Sequence, residues 1–386
     1  MHALERVSGF LMQPVRWLGC FSVSCWYRVA YRTRAWGSLP RKRQASLLVA
    51  NHQHEMESAI IVGDQTIRSL SWRRPINTVS SRRMWEPGFF AERIAWLRPI
   101  FRTANLGWFF AGLGLQPIEN ELHSRPFVSI AYALTQLHGD LPAAQVFHER
   151  ALARIPNVAS VRDLLAPANF DAARGTVSLS ELNEPHRAEL LAQTRTQLEA
   201  DIANFEQIVR RGGTIFLTPE GFYTTDGKML RFRGILSRLT PMARVYAVGI
   251  SYDPFIEGRF TLLYRVREAD AGIPLETSIK RTRPVTVSAL LAMYLHECKT
   301  AFSDDDAIAA VRTHLEQLPE YLFVEPNLAR DPARMTRSAL RGMMKLRMLD
   351  RFGNRYALTG WRRHPQFPKT DDMIAYQANF HAETLA

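Results

Sequence analysis

The sequence predicts an α/β fold: a mixed β-sheet flanked by helices, with an N-terminal helix in front and a helical C-terminal extension behind. Three observations carry that expectation. Short apolar runs at 46–50 and 214–217 each end in a polar turn, as buried strands of α/β proteins do at their carboxyl ends. Directly before the second run, Leu191, Thr194, Leu198, Ile202, Phe205 and Val209 recur at three- and four-residue spacing, which is the face of a helix over 188–211. The chain of 386 residues is 46% apolar and 22% charged, enough to bury a sizeable core and to exclude a disordered or collagen-like polymer. Because one core stops growing near about 250–300 residues, the expected organisation is a main domain over 46–300 with an insertion at 121–187, preceded by 1–45 and followed by 301–386.

The elements follow in order. Residues 17–27 are uncharged between Arg16 and Arg28, whereas a membrane-spanning helix needs about 20 apolar positions, and no small-residue cleavage site follows. Phe10, Leu11, Trp17, Leu18, Phe21, Trp26 and Tyr27 are mixed with Arg16, Arg28, Arg32 and Arg34, then with Arg41-Lys42-Arg43. That is the composition of a helix lying in a membrane interface and tethered to anionic lipid; an ordinary packed helix with a solvated basic face is the alternative. The strand at 46–50 delivers Asn51-His52. The helix over 188–211 stops at Gly212-Gly213, where a C-cap belongs, and the strand at 214–217 leads to Thr218-Pro219-Glu220-Gly221. A third strand over 244–251 turns through Asp253-Pro254 and Gly258 into 259–267, whose alternation predicts an antiparallel or edge partner. Weak periodicity and Pro126, Pro142, Pro156, Pro167 and Pro185 predict an insertion or lid between 120 and 188. Beyond 300, Asp304-Asp305-Asp306 cap a helix over 307–318, a basic helix lies near 332–350, and a polar tail holds Trp361 and Pro365.

Charge narrows the partner. The net charge is +12, and residues 1–105 supply 16 basic against six acidic side chains, so nearly all of the excess is N-terminal. An anionic partner follows: nucleic acid, a membrane surface or a phosphorylated substrate. Nucleic acid would want a reading helix or an aromatic-studded basic sheet, and the N-terminal aromatics instead stand in an apolar run. Only six of the 49 cations are lysines, which suits bidentate phosphate contact by guanidinium. Cys20, Cys25 and Cys298 have no metal spacing, which fits a reducing compartment.

The densest chemistry is Asn51-His52-Gln53-His54-Glu55-Met56-Glu57. In one reading His52 is a general base whose tautomer Glu57 fixes, and an acceptor hydroxyl is the nucleophile. In another, His52 and His54 ligate a metal and Glu55 or Glu57 assists a hydrolysis. A third has the chain bind membrane or nucleic acid without catalysis. Later histidines, His123, His138, His148, His186 and His296, form no second ligand cluster along the chain. The other constellation runs from Thr218 to Gly234, where a Pro-Glu-Gly turn can face a ligand with Lys228, Arg231 and Arg233 at hand for phosphate. Gly112-Leu113-Gly114 lacks the third glycine of a dinucleotide loop, and neither a nucleophile elbow nor a Walker loop is present.

In this order the two constellations resemble the lysophospholipid acyltransferase (PlsC-like glycerolipid acyltransferase) family, enzymes of phospholipid biosynthesis. Gly114-Leu115-Gln116-Pro117-Ile118-Glu119 is similar to that family's second block and Val245-Tyr246-Ala247-Val248-Gly249-Ile250 to its fourth, so the resemblance covers roughly residues 25–290. It implies transfer of a fatty acyl group from acyl-CoA or acyl carrier protein to a hydroxyl of a glycerol phosphate or lysophospholipid-type acceptor. His52 and Glu57 would be catalytic, and Asn51, Glu220, Gly221, Arg125, Lys228 and Arg231 would bind substrate. It also implies a peripheral enzyme on the cytoplasmic side of the inner membrane, with no metal or resident cofactor. Three positions depart from the pattern. Glu57 stands where the family has aspartate, with Glu55 as the alternative carboxylate. Glu220-Gly221 continues into Phe222-Tyr223 instead of Thr-Arg. Asn120 replaces the arginine closing the second block, for which Arg125, then Arg187 or Arg195, is the substitute.

Overall fold

The structure, a computed structural model, describes residues 2–37, 39, 44–54, 57–68, 76–86, 107–119, 123–232, 234–298 and 300–385. The chain is α/β, and its main sheet is mixed and seven-stranded. The strands are β1 (Arg32–Trp36), β2 (Ser46–Ala50), β3 (Ile76–Ser81), β4 (Leu115–Ile118), β5 (Thr214–Leu217), β6 (Arg244–Asp253) and β7 (Thr261–Glu268), in spatial order β1-β7-β6-β2-β5-β3-β4. All five residues of β2 are buried, as an apolar run parallel to both neighbours requires. Ser46 stands opposite Thr214 and Val49 opposite Leu217, so β2 and β5 end at the same level. The turns that follow them, 51–54 and 218–221, therefore leave the sheet side by side at its carboxyl edge, where α/β proteins bind ligands. The alternation read at 259–267 is the antiparallel pairing of β7 with β6, and β1 covers its other side in parallel.

Two compact units divide the chain, one of Gln13–Thr78 with Ile208–Ala386 and one of Met1–Met12 with Val79–Gln207. The first contains the helices α1 (mainly; His2–Ala30), α2 (Glu57–Arg68), α5 (Leu275–Thr282), α6 (Val287–Glu297), α7 (Asp304–Glu316), α8 (Pro332–Lys345) and α9 (Met373–Leu385). Residues 301–386, expected as an appendage, thus group with the sheet. Leu48, Ala50, Phe216, Val248 and Ile250 share one apolar cluster with Leu290, Leu291, Leu340, Met343, Ile374 and Tyr376. At about 1.5–3 kcal/mol for each fully buried large apolar side chain, that shared cluster binds the C-terminal helices firmly to the strands. The start of α7 also moves: Ser303, not the acidic run, is the N-cap, in a capping box with Asp306. Gly249 of β6 lets the sheet meet the end of α5, since a Cβ there would lie 2.3 Å from Arg283 N.

The second unit holds α3 (Phe127–His138) and most of α4 (His186–Arg210), with a ladder between Ser124–Pro126 and Thr176–Ser178. Phe127, Ile130, Leu134, Phe147, Val161 and Leu190 form its separate core, so the segment expected as an insertion at 121–187 belongs to a larger body that takes in Val79–Gln207. Gly212, with φ of 75° and its N–H on Val209 O, stops α4 where the sequence placed the cap.

Helix α1 is two-faced. Ser24 and Tyr27 are buried, while Trp17, Leu18, Phe21 and Trp26 are exposed, Leu18 by 60% and Trp26 by 59%. Two of its cations have partners: Arg16 donates to Ile76 O at 2.5 Å, and the exposed Arg28 pairs with Asp64 at 2.8 Å. Arg34, on β1, pairs with Glu325. Arg32 is exposed, and the Arg41-Lys42-Arg43 cluster lies outside the described residues. Among the described residues no helix is long and apolar enough to cross a membrane.

Candidate active site

Two turns and the C-terminal helix build the site. Glu57 is the first residue of α2, and its carboxylate is fully buried at that helix's N-terminus, where exposed backbone N–H groups favour negative charge. Oε2 accepts from His52 Nδ1 at 2.9 Å, and Gln53 N–H donates to Oε1 at 3.0 Å and Oε2 at 3.1 Å. The glutamate therefore reaches the imidazole without displacement, which answers the departure from aspartate; Glu55 lies outside the described residues. A carboxylate on Nδ1 fixes the tautomer with its proton there and leaves Nε2 as the basic nitrogen. The His52 side chain is 17% exposed, and the Tyr223 ring stands edge-on to it, with centroids 5.6 Å apart. Lys369 Nζ sits 4.6 Å from the centroid of that tyrosine.

Glu220 fixes the backbone of the same histidine. Its Oε1 accepts the His52 N–H at 2.8 Å and its Oε2 the Leu230 N–H at 2.7 Å, so one buried side chain joins the two turns. Burial pushes its carboxyl up to about 7, against the hydrogen bonds from Leu230 and His52 and the charge of Arg283, which pull it down. The turn itself is closed by Gly221, at φ 76°, whose N–H donates to Thr218 O.

Helix α9 holds the far side of this loop. Met229 N–H donates to both oxygens of Glu383 at 3.0 Å, and Asn379 Nδ2 donates to Asp226 O at 3.0 Å. Gly227, at φ 84°, passes so close to α9 that a Cβ would lie 2.1 Å from Tyr376 O. Glu383 also pairs with Arg283 at 3.0 Å, a guanidinium 2% exposed that stacks 4.2 Å over Phe380. Burial lowers the pKa of Arg283, while Glu383 and Glu220 oppose that shift. No protein-family model and no curated protein matches this chain.

Several expected ligand residues have other work. Asn51 is buried and its amide pairs with β6, donating to Ile250 O at 3.1 Å and accepting from Ile250 N–H at 2.7 Å, so it clamps two strands. Glu220 likewise accepts a backbone N–H on each oxygen, which gives it a positioning role. Lys228 and Arg231 are exposed on the loop after Gly221. Arg125 lies in the other unit, paired with Glu119 at 2.6 Å and Thr194 Oγ1 at 3.0 Å, beside a cavity of about 290 Å³ that Arg82, Trp85 and Tyr132 also line. Asn120 and Arg233 lie outside the described residues.

Among the described residues, His52 and His54 are not part of a group with metal-binding geometry. The His54 ring meets those of Tyr252, Phe367 and Phe260, at ring distances of 5.9, 5.8 and 6.5 Å. Among the described residues, the group with metal-binding geometry is His138, His186 and Glu189, so the later histidines do cluster, in space and not along the chain. Arg283 and Glu383 escaped the sequence reading. Their one signal was the apolar spacing of Met373, Ile374, Tyr376 and Phe380 within a tail that otherwise read as polar.

Proposed function

We propose that this protein is an O-acyltransferase of glycerolipid acyltransferase-like fold. It would move a fatty acyl group from acyl-CoA or acyl carrier protein to a hydroxyl of a glycerol phosphate or lysophospholipid-type acceptor, with His52 as general base. The observation that carries the reading is the 2.9 Å contact between His52 Nδ1 and the buried Glu57, on a histidine whose backbone Glu220 pins from the neighbouring turn. The motif order along the chain supports the acyl-transfer class.

In this mechanism His52 Nε2 takes the proton of the acceptor hydroxyl as its oxygen attacks the thioester carbonyl. Glu57 stabilises the imidazolium. The tetrahedral intermediate collapses with cleavage of the carbon–sulfur bond, and the departing thiolate takes the proton back from His52. No covalent enzyme intermediate is needed, because the thioester is already activated. Lys228 and Arg231, exposed on the loop after Gly221, would meet an acceptor phosphate. The exposed aromatic face of α1 would seat the enzyme peripherally on the cytoplasmic leaflet, where both substrates present themselves. The reaction as proposed draws on no metal or resident cofactor.

Free-thiol release from an acyl thioester, measured over a panel of lysolipids and simple alcohols, tests the reading. Release that depends on a lysophospholipid or glycerol phosphate, with the acyl group recovered on that acceptor, is the expected result. Release at the same rate without any acceptor would make the protein a hydrolase and overturn it.

A further inference from the structure

The second unit carries a constellation that acyl transfer leaves unused. His138 is the last residue of α3, and His186 and Glu189 lie in the first turn of α4, three residues apart and so on one face. His138 Nε2 stands 2.8 Å from Glu189 Oε2, and His186 Nδ1 stands 3.4 Å from the same oxygen. The imidazole rings meet edge to face at 5.3 Å, and one ligand atom from each of the three residues lies within 4.8 Å of the others. His186 is 13% exposed, and its Nδ1 is buried without a hydrogen bond.

We propose that His138, His186 and Glu189 form a site for a divalent transition-metal ion, with zinc the best match and water in the fourth position. A tetrahedral ion with nitrogen and oxygen ligands at about 2.0–2.1 Å holds those atoms roughly 3.4 Å apart. The gap from His186 to Glu189 already has that value. The gap from His138 to Glu189 needs to open by only about half an ångström. Two imidazoles and one carboxylate favour zinc, nickel or copper over magnesium or calcium, which want oxygen. An ion would also occupy the lone pair of the His186 Nδ1, which makes no hydrogen bond.

The position of the site gives it a task. Residues 139–185 leave the end of α3 and return at the start of α4, so a bound ion ties the two ends of that segment together. Closing a long loop in this way restricts the unfolded chain, and binding energy becomes folding energy. The segment includes Phe147 and Val161 of the unit's own core, so the ion would clasp a packed body at its neck.

The test uses the full chain, stripped with a chelator and titrated with Zn²⁺ by calorimetry and by thermal unfolding. We expect one Zn²⁺ bound and a raised unfolding temperature, with affinity reduced at least about tenfold in His138→Ala and in His186→Ala. In case a variant fails to fold, carbethoxylation of the wild-type chain read by mass spectrometry supplies a second measurement. Zn²⁺ should shield His138 and His186 while the exposed His123 and His296 keep reacting. No uptake of Zn²⁺, uptake unchanged in both alanine variants, or equal reactivity of His138 and His186 with and without the ion would each overturn the proposal.

Discussion

Replacing Glu57 with glutamine probes the link between geometry and chemistry, because it keeps size and removes one acceptor and the charge. The carboxylate takes three contacts, from His52 Nδ1 at 2.9 Å and from Gln53 N–H at 3.0 and 3.1 Å. An amide has one oxygen to offer them. If that oxygen faces Gln53, the NH₂ group meets Nδ1, which must then accept; the imidazole proton moves to Nε2 and the base is lost. If it faces His52, the NH₂ group opposes the Gln53 N–H in a fully buried site, and the imidazolium still loses its counter-charge. Either way kcat/KM should fall by about 10²–10⁴, or roughly 2.7–5.4 kcal/mol of transition-state stabilisation. Acceptor-dependent thiol release measures this directly, with circular dichroism as the check on folding. Activity within threefold of wild type in Glu57→Gln, alongside a dead His52→Ala, would mean that another group orients the base.

Three further outcomes follow from the same contacts. Because burial raises Glu220 from its ordinary 4.5 to about 7, the folded state holds that proton more tightly than the unfolded chain; its contribution is present below pH 4.5 and lost as pH rises through about 7. Wild type should therefore lose about 2–3 kcal/mol more than Glu220→Gln in urea unfolding between pH 5 and pH 8, and parallel curves would contradict the assignment. Glu383→Gln takes the counter-charge from the buried Arg283 and should cost about 3 kcal/mol of stability; a loss below about 1 kcal/mol would show that Arg283 is satisfied elsewhere. Serine at Trp17, Phe21 and Trp26 together should weaken binding to anionic vesicles at least about a hundredfold in flotation, and unchanged binding would return α1 to an ordinary packed helix.

The parts of the fold set by local pattern were readable in advance. Strands β2 and β5 announced themselves as apolar runs ending in polar turns, and α4 by its helical spacing and glycine stop. The parts set by register and long-range contact were not. The bond of the Asn51 amide to the backbone of β6 depends on which strand lies next door, which no local pattern gives. The turn holding Glu220 was legible, but not that its oxygens meet backbone N–H groups of His52 and Leu230, which depends on how the two turns lie together. Glu383 is far from every motif in sequence and reaches the loop only because α9 folds back onto the sheet's helices. His138 and His186 are separated by an entire packed segment, so no spacing rule could join them.

The central claim is that His52 is the base for acyl transfer. The most direct measurement compares wild type and His52→Ala in acceptor-dependent thiol release, with the acylated product identified by mass. The account predicts a loss of about 10²–10⁴-fold in the variant with donor binding retained. An unchanged rate in His52→Ala, or a wild-type rate abolished instead by His54→Ala, would contradict it.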